Sequence, residues 1–106
     1  MLLPEESVSR LTRLLVEAAN PARIILYGSY ARGEATADSD IDIMVVETDV
    51  HDRFKEMVRL NRVVRSIGIS VDLLVVSKEK FDYWRDTPGN VYFEAAAEGR
   101  TLYEAT

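Results

Sequence analysis

Apolar and polar positions along this chain recur in two periods, and the changes from one to the other mark its elements. Residues 2–19 place Val8, Leu11, Leu15 and Ala18 at helical spacing, with Pro4 near the start and Glu5 and Glu6 where a helix dipole favours acids. Asn20-Pro21 ends that helix. Residues 23–27 hold three consecutive large aliphatics, which predicts a central strand covered on both faces. Gly28-Ser29 follows as a turn, residues 30–32 as a short helical turn, and Gly33 as its stop. After a small, polar loop, residues 40–47 read as a second strand. Residues 51–67 return to helical spacing through Met57, Leu60, Val64 and Ile67, with Gly68 as a stop. Residues 69–76 form a third strand, Ser77 caps a short helix over 78–85, Asn90 caps a last one over 91–98, Gly99 closes it, and 101–103 are extended.

Two strands break their own apolar pattern. Asp40 and Asp42 stand in the second, and Asp72 in the third. Because strand side chains alternate, Asp40 and Asp42 face one way while Ile41, Ile43 and Val45 face the other, into a core. Like charges held that close repel unless a cation lies between them. The acids also constrain topology. Gly28-Ser29 ends strand one, whereas Asp40 and Asp42 begin strand two, so they meet only if those strands are antiparallel. Asp72 joins them if strand three is parallel to strand two, and the helix over 51–67 is long enough to make that crossover. The expected fold class is therefore α/β (α+β). It has a mixed sheet of three main strands plus a short C-terminal strand, flanked by helices, with the acids at the edge of a cleft.

Bulk properties narrow the function. The 106 residues suit one small domain, expected to span 1–106 without repeats or linkers. A chain with 47% hydrophobic and 29% charged residues has a globular composition. No apolar run approaches the roughly 18 residues of a membrane span, the N-terminus does not read as a signal peptide, and a cytoplasmic location is expected. Without cysteine there is neither a disulfide framework nor a thiolate metal site. The net charge of -5 argues against strong binding to a nucleic-acid backbone.

Three carboxylates suit a hard cation with oxygen ligands, Mg2+ or Mn2+, which keeps waters and shares its other positions with substrate phosphates. The Gly28-Ser29 turn supplies the anion-binding half, since glycine lets a phosphate approach backbone N–H groups. Gly28-Ser29, ten residues from Tyr30 to Ser39, and then Asp40-Ile41-Asp42 resemble the signature of the polymerase-beta-like nucleotidyltransferase superfamily. GSYARGEATADSDIDIMV, the third acid in VDLLVV and the ending EGRTLYE are similar to its minimal nucleotidyltransferases.

That resemblance implies transfer of a nucleoside monophosphate from an NTP, expected to be ATP, to an acceptor hydroxyl. It further implies an antitoxin that adds AMP to a tyrosine of a partner HEPN-domain toxin. Gly28 and Ser29 would hold the triphosphate, Asp40 and Asp42 would bind both metals, and Asp72 would bind the catalytic metal and help accept or orient the hydroxyl. Arg32, one turn after Ser29, is a further candidate for the triphosphate. Two alternatives share the motif: a small-molecule, aminoglycoside-type transferase, and an antitoxin that neutralises by binding alone.

Other patterns read more simply. Lys55, Arg59 and Arg62 form a basic stripe expected to be a solvated face, with an acidic partner as the alternative. His51 is expected at the surface, without a catalytic role. Phe81, Tyr83, Trp84, Tyr92 and Phe93 are expected in the core, with an interface as the alternative.

Overall fold

The computed structural model describes residues 2–106, and the sheet is centred on the two strands whose residues are buried on both sides. In β1 (Arg23–Tyr27) the residues Ile24, Ile25 and Leu26 are all buried. In β2 (Ile41–Glu47) the burial runs unbroken from Ile43 to Glu47. Strand β3 (Val71–Ser77) lies beyond β2 and β4 (Arg100–Glu104) beyond β1, giving the order β3-β2-β1-β4. As expected, β1 and β2 are antiparallel and β2 and β3 are parallel. The fourth strand pairs antiparallel with β1 across an irregularity between Ile24 and Ile25.

Helices cover both faces, and strand alternation decides which residues each cover meets. On one face Ile24, Leu26, Ile41, Ile43, Val45, Leu73 and Val75 pack with the apolar stripe of α1 (Glu5–Ala19) and with Leu60 and Val64 of α3 (Arg53–Val64). On the other, Ile25, Met44, Val46 and Val76 pack with Phe81 of α4 (Lys78–Trp84) and Ala95 of α5 (Val91–Glu98). A one-turn helix, α2 (Ser29–Arg32), follows β1 directly.

Element ends follow local chemistry. α1 begins at Glu5 rather than at residue 2, because a residue preceding Pro4 is steered away from helical angles. α3 begins after Asp52, whose carboxylate accepts from the Lys55 N–H at 3.1 Å, so His51 lies outside it and is exposed. Its last turn tightens into a 3-10 segment, Arg65–Ile67. Ser77 and Asn90 cap α4 and α5 as expected. Gly99 closes α5 as expected, at φ -77, an ordinary conformation rather than a left-handed one. A side chain there would collide with the Ala95 carbonyl oxygen and Ile25 Cγ2, and glycine lets the end of α5 cross β1 closely.

The basic stripe is a solvated face: Lys55, Arg59 and Arg62 are exposed, with Arg59 paired to Glu56 at 2.8 Å. The aromatic cluster divides. Phe81 is in the core and Tyr92 packs against it, but Tyr83 and Trp84 are 72% and 41% exposed and stack edge-to-face on each other. These two are surface residues, not the core residues expected from the sequence. A helix of seven residues presents one apolar stripe to the sheet, and Phe81 occupies it.

Glu47, at the far end of β2, is the one buried charged residue among those described. Its Oε2 meets no donor. Burial, a hydrogen bond to Glu56 and the charge of Glu56 push its carboxyl up to about 8, against the opposing pull of Arg59. A hydrogen bond between two carboxyl groups requires one to keep its proton, and Glu47 is the one that does. Between the ordinary carboxylate range and about 8 the folded chain therefore binds more protons than the unfolded chain, so this contribution to stability is lost as pH rises through that window. Glu47→Gln should remove that loss. Thermal melts across pH should place the variant about 4 °C or more above the parent at pH 9, with the gap closing toward pH 5.

Candidate active site

Pairing register brings the predicted acids to one end of the sheet. Asp42 stands opposite Tyr27 in β1 and opposite Asp72 in β3, so Tyr27, Asp42 and Asp72 lie in a row on the face covered by α4 and α5. Asp40 lies just before β2, whose first residue donates from the Ile41 N–H to the Ser70 carbonyl at 2.9 Å. Its side chain accepts a hydrogen bond from the Ser70 hydroxyl, which ties the approaches to β2 and β3 together. Asp40 and Asp72 are exposed and Asp42 is half-buried.

Gly28 closes this end from the β1 side. It is buried at φ 75 and ψ -153, a region essentially restricted to glycine, and any side chain there would overlap the Asp42 carboxylate. The Gly28 carbonyl accepts from the Arg32 N–H at 3.1 Å, so the glycine starts α2 while its bare Cα leaves room for Asp42.

The electrostatics record how closely these groups gather. Burial is the main cause that raises the Asp42 carboxyl above its ordinary range, followed by the charges of Asp72, Asp40 and Glu94, with Arg32 opposing. The Tyr27 hydroxyl is pushed up to about 12 by burial and then by Asp42, Asp72 and Glu94. Arg32 is the cation that acts on Asp42. It is held by Glu34 at 2.7 Å, Glu94 at 3.3 Å and Glu98 at 3.8 Å.

Among the described residues, no three acidic or imidazole groups are gathered tightly enough to cage a metal ion by themselves. The donor set nevertheless fits Mg2+, which takes one or two carboxylates and fills its other positions with water and substrate phosphate. The mutual repulsion at Asp42 is what such a cation would relieve. The surroundings are open. A cavity of about 570 Å³ lies at the opposite end of the sheet around Arg23, Lys78 and Glu104. The recess that contains Glu94 is shallower, about 390 Å³, and is lined by the start of α5.

Residues 8–98 match the model of the family described as nucleotidyltransferase domain. The chain belongs to that family. This nucleotidyltransferase is 36% identical over 83 residues to protein adenylyltransferase MntA of Thermococcus cleftensis, covering 76% of this chain and 84% of that protein. It is 33% identical over 81 residues to a protein of Methanocaldococcus jannaschii named as a candidate protein adenylyltransferase, covering 76% and 77%. Among solved structures, a toxin–antitoxin complex with AMP-PNP has a TM-score of 0.65 at 23% identity, covering 97% of this chain and 75% of that one. The Shewanella oneidensis tri-AMPylated HEPN toxin in complex with MNT antitoxin gives a TM-score of 0.63 at 19% identity, covering 97% and 74%. Both share the fold.

Four residues gathered at this end of the sheet are absent from the motif: Tyr27, Ser70, Glu94 and Glu98. Tyr27 is signalled by its position opposite Asp42 once the strands are antiparallel, and Ser70 by its place two residues before Asp72. The α5 acids carry no local signal, since they reach the site only through packing. Gly28→Ala should test the close approach directly. The forced backbone angle alone costs about 1–3 kcal/mol, and the overlap with Asp42 adds to it, so the melting temperature should fall and Asp42 should move in a crystal structure of the variant.

Proposed function

We propose that residues 1–106 form a single minimal nucleotidyltransferase domain that transfers AMP from ATP to a hydroxyl, a tyrosine, of a HEPN toxin, and thereby acts as the antitoxin of that pair in the cytoplasm. The observation that carries this reading is the convergence of the Gly28 turn with Asp40, Asp42 and Asp72 at one end of the sheet. Further support comes from the relative named protein adenylyltransferase MntA and from the toxin–antitoxin complexes that share the fold. No helix among the described residues is long and apolar enough to cross a membrane.

In this reading Gly28 and Ser29 take the triphosphate against the backbone, and Arg32 adds a planar cation to it. Mg2+ or Mn2+, held by Asp40, Asp42 and Asp72, supplies charge neutralisation on the phosphate oxygens when bound. Asp72, the more exposed member of the in-register pair, orients the acceptor hydroxyl and takes its proton. The hydroxyl oxygen forms its bond to the α-phosphorus as the bond to the bridging oxygen of the β-phosphate breaks, and pyrophosphate leaves with that electron pair. An open cleft suits an acceptor carried by another protein, which encloses the reaction from its own side.

Incubation with α-labelled ATP, Mg2+ and the protein encoded by the neighbouring reading frame should label that protein on tyrosine, and an unlabelled partner would sink the proposal. Asp40→Ala with Asp42→Ala should reduce transfer at least about a hundredfold. If the double variant still protects cells from the toxin, neutralisation proceeds by binding and the catalytic reading is wrong.

A further inference from the structure

Arg32 is surrounded by more carboxylate than one cation can neutralise. Its Nε bonds Glu34, a neighbour two residues away, at 2.7 Å. Its Nη1 is shared between Glu94 at 3.3 Å and Glu98 at 3.8 Å, one turn apart on α5 and more than sixty residues distant in the chain. The Asn90 cap sets where α5 begins: its side chain accepts from the Phe93 N–H at 2.9 Å and donates to the Thr87 carbonyl at 2.6 Å. The next residue, Glu94, bridges to Arg32, and the two exert opposing influences on Asp42. α5 thus holds the site's arginine at the mouth of the cleft.

We infer that Glu94 is a positioning residue acting through Arg32: it keeps the guanidinium against α5 and yields it to the nucleotide's phosphates, so that the Arg32–Glu94 ion pair and triphosphate binding compete for one side chain. This rests on the assignment of Arg32 to the triphosphate in the proposed function. The competition is physically balanced for exchange. The Arg32 and Glu94 side chains are 36% and 38% exposed, so solvent screens their attraction and the pair is weak. A triphosphate carries more charge than a carboxylate and offers oxygens that match the guanidinium fork. Glu34 can stay bonded through Nε while Nη1 changes partner.

Titration calorimetry with ATP and Mg2+ should compare the parent, Glu94→Gln, Arg32→Gln and the double variant, with circular dichroism confirming the fold. Glu94→Gln should tighten ATP binding about two- to fivefold, and in the transfer assay should lower KM rather than kcat. Arg32→Gln should weaken binding, and adding Glu94→Gln to it should have no further effect. Glu98→Gln, whose contact is longer, should show the same sign at smaller size, and it carries the test if Glu94→Gln fails to fold. Unchanged or weaker binding in Glu94→Gln overturns the inference. So does equal tightening in the Arg32→Gln background, which would mean that Glu94 acts by its charge alone. A parent protein that neither binds ATP nor transfers AMP would instead sink the proposed function, whereas transfer indifferent to Glu94 sinks only this inference.

Discussion

Two carboxylates, Asp42 and Asp72, face each other across adjacent parallel strands, with Tyr27 of β1 completing the row. Like charges directly opposed in a sheet are destabilising, so the rest of the strand pairing has to hold them there. It does so with apolar rows immediately behind. Ile25, Met44 and Leu74 form the next row on the same face, and Val46 and Val76 the one after, buried beneath Phe81 and Ala95. The acids stand where that cover ends. Placed farther along its own strand, either would lie in an apolar layer, and neither could be reached by a cation or a phosphate.

The same row explains why Gly28 is needed. Antiparallel pairing sets Tyr27 opposite Asp42, so the next residue must turn away without a side chain to clear the carboxylate, and the backbone angle it adopts is one that only glycine adopts readily. The second glycine with a packing reason, Gly99, brings the end of α5 against β1 and so places Glu94 and Glu98 beside Arg32. The two close approaches, one on each side of β1's last residues, bring the Gly28 turn and a group of acids together at a single arginine. Solved structures with only about a fifth of their aligned residues identical to this chain share its fold, as expected when a few backbone constraints and a pattern of buried strands specify it.

The opposite end of β2 shows what an acid does without such an opening. Glu47 is buried beneath α3 and retains a proton by hydrogen bonding to Glu56, whose own carboxyl is lowered chiefly by its bond to Arg59. One strand therefore carries a carboxylate kept in contact with solvent at its start and a carboxylic acid sequestered at its end. Burial rather than residue type separates their chemistry.

Much of this was written in the chain itself. The triple aliphatic run of β1, the acids interrupting β2 and β3, and the caps at Ser77 and Asn90 are local features, and the connection lengths permit the strand directions that would gather the acids. Local patterns say which face of an element is buried but not which neighbour buries it. Tertiary packing alone decided that Phe81 enters the core while Tyr83 and Trp84 do not, that Glu47 meets Glu56, and that α5 delivers Glu94 to an arginine more than sixty residues earlier. The reason is that hydrophobic burial is non-directional: periodicity commits a helix to the sheet, and only the shapes of the surfaces in contact set which polar side chains on its other faces come to lie at the site.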